Sequence, residues 1–246
     1  MCNVQSADKA LGILAAFSEE RPDVGVSELA AELGVHKSTV SRLLATLENR
    51  GLVRREGDRF TPGWELARLG ALAVRGSALV GAAREALERL GERSGETVNL
   101  AVRDGERALN ILQIDAAHFV GVTDWTGRAP PLHATANGKV LLAFGDDGLP
   151  RSLPRLTKRT ITDRRRLRAE LGRVREAGFA VAVEELELGL HAVAAPVFDR
   201  FGACLAAVSV SAPAYRLPES RLPEAGELCV VAAAEVARRL GFRRAA

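Results

Sequence analysis

The stretch SELAAELGVHKSTVSRLLATL, residues 27–47, decides the fold of the first part of the chain. Its first half places leucines and alanines at helical spacing and ends at Gly34, whose backbone permits a sharp turn. Its second half begins at His36 or Lys37 and has an amphipathic helical pattern, with apolar residues at Val40, Leu43, Leu44 and Leu47. Two helices joined by a glycine-containing turn are typical of a helix-turn-helix motif, whose second helix enters the major groove of DNA.

The second helix of this motif carries small polar and basic residues outside its apolar face. They are Lys37, Ser38, Thr39, Ser41 and Arg42. Hydroxyl groups can donate to phosphates or base edges without filling the groove, and a guanidinium can contact O6 and N7 of one guanine. We therefore expect these residues to contact DNA. The alternative is an ordinary amphipathic helix with a solvated face.

A basic hairpin is predicted directly after this helix. Residues 52–62 have the pattern of two short strands about a turn at Gly57-Asp58, and three arginines, Arg54, Arg55 and Arg59, lie on or near its tip. Such a hairpin, or wing, can reach phosphates or a minor groove beside the recognition helix. We predict that Arg55 and Arg59 contact phosphates and that the partner is double-stranded DNA.

The distribution of charge supports this prediction better than the net charge of +3 does. Residues 6–35 contain two basic and six acidic side chains, whereas residues 36–60 contain six basic and three acidic ones. A change of sign over so short a distance indicates one face that meets a polyanion.

The remainder of the chain predicts an α+β domain with an antiparallel sheet. A length of 246 residues fits two domains. We place a winged helix-turn-helix domain with a small β wing at residues 1–63, a helical linker broken by glycines at 64–94, and a second domain at 95–246. The last segment alternates strand patterns with helical ones, and its strands are expected at 97–102, 108–114, 119–123, 179–183, 191–198 and 204–211.

Other functional classes lack their signals. The cysteines and histidines have no metal-ligand spacing, so we expect no metal. No nucleotide-binding loop or nucleophile elbow is present, so we expect neither a cofactor nor an enzyme. Glu184, Glu185 and Glu187 are interpreted as solvated loop acids. No apolar run reaches the ~18 residues of a membrane span, and no signal peptide is visible, so we expect a cytoplasmic protein without a membrane partner.

A ligand pocket is the better interpretation of the second domain. Alternation along residues 204–211 places Ser209 and Ser211 on one face of a strand. Ala136 and Asn137 lie near the start of a predicted helix, where free backbone N–H groups favour a carboxylate. Together these residues suit a small organic acid. The alternative is that the serines only satisfy each other or the sheet edge.

The chain resembles the IclR family of transcriptional regulators over nearly all its length. The resemblance rests on ordered segments of sequence: Gly34–Leu44, Gly95–Leu100, Leu132–Lys139, Arg159–Thr162, Glu187–Leu190, Ala195–Asp199 and Val208–Ser211. It implies a winged helix-turn-helix, a helical linker and a GAF-like effector domain, in a homodimer or a dimer of dimers. It also implies regulation, in most members repression, by a small metabolite that changes the affinity for operator DNA.

The resemblance further implies which residues bind the effector. Backbone groups of Ala136 and Asn137 and the hydroxyls of Ser209 and Ser211 match positions that bind small keto acids in the family. Two positions depart from the family pattern, because Ala182 stands where an acidic residue is usual and Ala192 where a cysteine is frequent. We therefore expect an effector more apolar or bulkier than glyoxylate or pyruvate, such as an aromatic or branched acid. A vestigial pocket in a ligand-independent regulator would explain the same substitutions.

Overall fold

The structure is a computed structural model, and the residues that it describes are 4–18, 21–116, 124–146 and 148–242. Contacts divide the chain into two units, Met1–Gly76 and Ser77–Ala246. The stretch predicted as a linker, residues 64–94, is therefore shared between the units. The strand predicted at 119–123 lies outside the described residues.

Three helices surround the core of the first unit: α1 (Gln5–Ala15), α2 (Val26–Glu32) and α3 (Lys37–Asn49). The buried apolar residues that they share with the wing include Ile13, Leu29, Val40, Leu44, Val53 and Phe60. Gly34, between α2 and α3, has a φ of 63°, in the region that favours glycine. The helix-turn-helix prediction is confirmed.

The wing is a three-stranded sheet. The predicted hairpin consists of β2 (Val53–Glu56) and β3 (Arg59–Pro62), which pair antiparallel about Gly57. A two-residue strand, β1 (Val24–Gly25), adds to the other edge of β3, so that the strand order is β1-β3-β2. The sequence pattern did not predict β1, because a strand of two residues has no periodicity to detect.

The segment predicted as a broken helical connector contains two helices. α4 (Trp64–Arg75) belongs to the first unit and ends at Gly76. α5 (Ala78–Ser94) is capped by Ser77, whose hydroxyl accepts a hydrogen bond from the Val80 N–H, and it belongs to the second unit. Among the described residues, no single helix is long and apolar enough to span a membrane. α4 and α5 meet that test of length and composition only when they are joined across their break.

The second unit is built on a five-stranded antiparallel sheet in the order β5-β4-β8-β7-β6. The strands are β4 (Thr97–Asp104), β5 (Arg107–Ile114), β6 (Ala180–Val183), β7 (Leu190–Phe198) and β8 (Cys204–Pro213). The predicted α+β class with an antiparallel sheet is confirmed.

Three further helices pack on this sheet: α6 (Ala136–Phe144), α7 (Arg164–Ala177) and α8 (Leu222–Arg239). α6 and α7 share a core with small sheet residues, among them Ala182, Ala194 and Ala207. Ser209 and Ser211 follow Ala207 at intervals of two along β8 and therefore face the same side as α6. The sheet thus presents two hydroxyls to the start of α6.

Candidate DNA-binding surface and effector pocket

The polar face of α3 is exposed in the first unit. His36 caps the helix by accepting a hydrogen bond from the Ser38 N–H, while Val40 and Leu44 anchor the opposite face in the core. Lys37, Ser38, Thr39, Ser41 and Arg42 are all exposed. Within the described part of the chain, neither Lys37 nor Arg42 has a carboxylate within ion-pair distance, so both charges are available to a polyanion.

Arg55 and Arg59 lie on the wing but differ in their partners. Arg55 is exposed, and its guanidinium lies 5.1 Å from the centre of the Phe60 ring without a carboxylate partner among the described residues. Arg59 instead donates to Asp23, and its Nη1 donates to Oε1 of Glu28 at 2.8 Å. The guanidinium of Arg59 is therefore held by two carboxylates, and contact of Arg55 or Arg59 with DNA stays a prediction.

These contacts make Arg59 a structural residue. It lies on β3 opposite Gly25 of β1, and Glu28 lies in the first turn of α2, so the ion pairs join the wing to the helix-turn-helix. The hydrogen bond from Arg59 lowers the pKa of Glu28 to about 2. The hydrogen bonds to Glu28 and Asp23 raise the pKa of Arg59 above its ordinary value. Two of the acidic side chains of residues 6–35, Asp23 and Glu28, therefore form ion pairs within the unit.

A cavity of about 50 Å³ lies in the second unit, between the sheet and the start of α6. All six residues that the sequence predicted as effector contacts line it: Ala136, Asn137, Ala182, Ala192, Ser209 and Ser211. The strand register explains part of this grouping, because Ser211 pairs with Ala192 and Ala192 with Ala182 across neighbouring strands. The two alanines therefore form an apolar floor beside the serine hydroxyl.

The start of α6 supplies hydrogen-bond donors to this cavity. Thr135 caps the helix, and its Oγ1 accepts from the Gly138 N–H at 2.9 Å. The backbone N–H groups of Ala136 and Asn137 have no acceptor among the residues that the structure describes. Unsatisfied N–H groups and the helix dipole at such a position favour an anion.

Four polar residues that the sequence analysis did not assign to the pocket also line it: Asn99, Asn110, Thr135 and Glu185. Asn99 donates to the Ser211 hydroxyl at 3.3 Å, and Asn137 donates to Oδ1 of Asn110 at 3.4 Å. With Ala182 and Ala192 in place of a carboxylate and a thiol, a less polar pocket was expected. The lining is mostly apolar, and it also contains one carboxylate and three amides, those of Glu185, Asn99, Asn110 and Asn137.

Glu185 is buried, which corrects its interpretation as a solvated loop acid. Its Oε1 accepts from Nζ of Lys139 at 2.5 Å, and Lys139, only 1% exposed, also contacts Glu170 at 3.3 Å. Burial raises the pKa of Glu185, and the Lys139 ammonium opposes that rise. The signal that could have found this pair is Lys139 itself, since a lysine inside the apolar helix ANGKVLLAF needs a buried carboxylate.

Metal binding has no support in the described ranges, where no three His, Cys, Asp or Glu side chains come together as ligands.

Comparisons with known proteins agree with both parts of this description. Residues 6–57 match the model of the IclR helix-turn-helix domain, and residues 71–238 match that of the bacterial transcriptional regulator IclR C-terminal domain. The chain is 37% identical to the HTH-type transcriptional regulator KdgR of Escherichia coli K12, covering 98% of this chain and 94% of that protein. It is 32% identical to the transcriptional repressor IclR of the same organism, with 98% and 92% covered.

Among solved structures, the chain is similar to an IclR homolog complexed with 4-hydroxybenzoate from Microbacterium hydrocarbonoxydans. The TM-score is 0.78 at 24% identity, and the match covers 96% of this chain and 99% of that one. At this identity the likeness supports the shared fold. With both family models matched and two relatives 37% and 32% identical over nearly the whole chain, the protein belongs to the IclR family of transcriptional regulators.

Proposed function

We propose that this regulator represses transcription by binding operator DNA through α3 and the wing, and that a small organic acid in the second unit changes its affinity for the operator. The observation that carries the proposal is the exposed face of α3, where Lys37 and Arg42 have no carboxylate partner in the described residues. In this proposal Arg42 contacts base edges, Ser38, Thr39 and Ser41 contact bases or phosphates, and Lys37 and Arg55 contact phosphates.

The effector site in this proposal is the cavity at the start of α6. Its acid group binds the backbone N–H groups of Ala136 and Asn137 and the hydroxyls of Ser209 and Ser211. Ala182 and Ala192 leave room for the body of the ligand. Such a site combines a mostly apolar lining with a few converging polar groups, which is typical of small-molecule pockets.

A ligand-independent regulator with a vestigial pocket is the main alternative. It predicts that no acid changes operator affinity. Against it stands the convergence on one cavity of two serine hydroxyls and the start of α6, whose first backbone N–H groups have no acceptor among the described residues. We also propose that the protein has no catalytic role, because the pocket pairs no nucleophile with a base among the described residues.

The oligomer is proposed to be a homodimer or a dimer of such dimers. α4 has no buried residue, yet it is strongly amphipathic, and Trp64, Leu69 and Leu72 are 76%, 44% and 49% exposed. An apolar helix face without a buried residue is expected to be covered by another chain, and a second copy offers the same face. Because its partner is operator DNA, we propose that the protein acts in the cytoplasm.

The test is a fluorescence-anisotropy titration of the full-length protein against duplex DNA from upstream of its own gene. A scrambled duplex of the same length and composition, at the same salt concentration, is the control. We expect at least the ~10³-fold preference that specific sites show. Weak and equal binding to both duplexes, unchanged by screening a panel of small acids, would contradict the proposal.

A further inference from the structure

The positive charge of the chain is concentrated in one segment of the second unit. Residues 151–177 contain ten basic and three acidic side chains, whereas the rest of the chain contains 24 basic and 28 acidic ones. Two of the three acids have partners within the unit. Asp163 caps α7 by accepting a hydrogen bond from the Arg166 N–H, and Glu170 contacts both Lys139 and Arg173. The positive net charge of the protein therefore comes from this segment.

Hydrogen bonds bring its arginines together at the start of α7. Nη1 of Arg164 donates to the carbonyl oxygen of Pro150 at 2.7 Å. Nη2 of Arg155 donates to the hydroxyl of Thr162, just before the helix, at 3.2 Å. The segment that precedes α7 thus lies against its first turn. We call the six exposed arginines at this end of the helix the basic surface: Arg151, Arg155, Arg164, Arg165, Arg166 and Arg168.

Three members of the basic surface have no partner of opposite charge. Within the described ranges, Arg165, Arg166 and Arg168 form no ion pair with a carboxylate. The face of α7 that packs in the core is fixed by its buried residues, Leu167, Leu171 and Val174. The guanidinium groups are therefore exposed on a helix whose orientation in the unit is set by its core face.

This placement is unfavourable for the helix itself. The first turn of α7 contains three arginines and no acidic residue, although the N-terminal end of a helix is the positive end of its dipole. Arg164 and Arg168 are also four residues apart, a spacing at which like charges repel each other. A local rule that is broken without compensation inside the fold is expected at a functional surface. The compensation expected here is an anion from outside the chain.

Duplex DNA is the polyanion that fits best. A duplex bound by a DNA-binding regulator keeps its flanking phosphates at a high local concentration around the protein. Each strand carries a phosphate about every 3.4 Å along the axis, and residues 164–168 span about 6 Å of helix axis. Neighbouring phosphates can therefore be contacted by separate arginines, whose guanidinium groups bind phosphate oxygens in a bidentate manner.

We infer that the basic surface is a second DNA-binding surface, which contacts phosphates of the duplex beside the operator. This inference rests on the proposed binding of the operator by α3 and the wing. It adds contacts that carry no sequence preference, because phosphates are the same in every sequence. An acidic protein is the other partner that such a surface could bind, and the test separates the two.

The test compares the salt dependence of binding to a short and a long duplex, by fluorescence anisotropy with the full-length protein. The short duplex, of about 24 base pairs, covers the operator, and the long one, of about 60, adds scrambled flanks. Each phosphate contact steepens the slope of log affinity against log salt concentration by about 0.9. Three added contacts should make the affinity for the long duplex fall about 40-fold more than that for the short one between 50 and 200 mM salt.

A triple variant removes the unpartnered arginines. Arg165→Gln, Arg166→Gln and Arg168→Gln together should abolish the effect of duplex length, and the affinity for the short duplex should change by less than about twofold. The variant should unfold at the same temperature as the wild type or higher, because it removes cations from the positive end of the helix dipole.

The matched control removes the same charge from the second unit outside residues 151–177. It combines substitutions at three other exposed arginines: Arg200→Gln, Arg221→Gln and Arg238→Gln. The control should keep the effect of duplex length. If it lost that effect as fully as the α7 variant did, the cause would be the overall charge of the unit, and the inference would be wrong.

The remaining outcomes separate this inference from the proposed function. The same salt dependence for both duplexes in the wild type would overturn the inference, leave operator binding by α3 and the wing standing, and favour an acidic protein as the partner. A lower unfolding temperature of the α7 variant would contradict it as well, since the arginines would then stabilise the fold. No preference of the wild type for the short operator duplex over a scrambled one would count against the proposed function itself.

Discussion

Arg42 and Arg55 are both exposed arginines of the first unit, but their positions predict different effects on DNA binding. Arg42 lies on α3 and is placed to contact base edges, so Arg42→Ala should cost about 1–3 kcal/mol on the operator and less on a scrambled duplex. Arg55 lies on β2 and is proposed to contact phosphates, so Arg55→Ala should weaken binding to both duplexes alike. It should also reduce the slope of log affinity against log salt concentration by about one. Anisotropy titrations at several salt concentrations measure both effects.

Arg50→Ala is the matched control for this pair, because Arg50 is exposed but lies just beyond the end of α3, away from its N-terminal face. Arg42→Lys adds a second comparison, since an ammonium cannot form the bidentate contact of a guanidinium. If Arg42→Ala weakened binding to the operator and to the scrambled duplex equally, the assignment of Arg42 to base recognition would be wrong.

Individual residues also show which features of a site can be predicted from the sequence and which cannot. Ser209 and Ser211 could be placed on one face because alternation along a strand is a local property. The partners of Glu185 and Arg59 could not be inferred from their neighbours in sequence, because they are Lys139, 46 residues away, and Glu28, 31 residues away. The charge of a residue is visible in the sequence, but whether another element neutralises it depends on the fold.

The ion pair between Arg59 of the wing and Glu28 of α2 is expected to contribute less stability at low pH. The pKa of Glu28 is about 2 in the fold, below its ordinary value of 4.5, because Arg59 donates to it. A lowered carboxyl pKa contributes stability that is complete above 4.5 and is lost as the pH falls from 4.5 towards 2. The Arg59→Ala variant should therefore unfold at a lower temperature than the wild type at neutral pH, and the difference should shrink across this window.

Thermal unfolding of both proteins at a series of pH values checks this, with Arg55→Ala as the control for the loss of a wing arginine that has no carboxylate partner among the described residues. A difference between wild type and Arg59→Ala that stayed constant down to the lowest pH would show that the ion pair with Glu28 is not its cause.

The start of α6 depends on a glycine for a steric reason. A Cβ on Gly138 would lie 2.1 Å from the carbonyl oxygen of Leu132, which is a backbone atom and cannot rotate away. Gly138→Ala should therefore destabilise the second unit by at least about 3 kcal/mol, or prevent its folding. Denaturant unfolding measures the change. Gly172→Ala is the control, since Gly172 lies inside α7 with no atom within 4 Å of its Cβ position. This variant should be more stable than the wild type by about 0.5–1 kcal/mol.

Elements with several turns or alternating residues were predicted closely, and short ones were not. β7, predicted at 191–198, spans Leu190–Phe198, and β8, predicted at 204–211, spans Cys204–Pro213, because alternation along a strand is a local signal. β1 could not be predicted from its own residues, because it is a strand only through its hydrogen bonds to the edge of β3.

At the scale of the whole molecule, the exposed face of α4 predicts the oligomeric state. Replacing Leu69 and Leu72 together by Glu places charge on this face without removing a buried side chain, as α4 has no buried residue. We expect the mass measured by light scattering to fall from that of a dimer, or a multiple of it, to that of the monomer. Leu188→Glu, at an exposed leucine of the second unit, should leave the mass unchanged. An unchanged mass in the α4 variant would place the interface elsewhere.

The two proposed functions of the molecule, binding of operator DNA and binding of an acid, must be coupled reciprocally if the acid regulates the operator complex. An effector changes the affinity for DNA only by its different affinity for two states of the protein, and such coupling is typically 1–3 kcal/mol, or about 5–150-fold. Saturating operator duplex should therefore lower the affinity for the acid by a certain factor, and saturating acid should lower the affinity for the operator by the same factor. Calorimetry of the acid with and without duplex, beside anisotropy of the duplex with and without acid, gives the two factors. No change in either affinity would establish the ligand-independent regulator instead, because a ligand that binds both states equally shifts nothing.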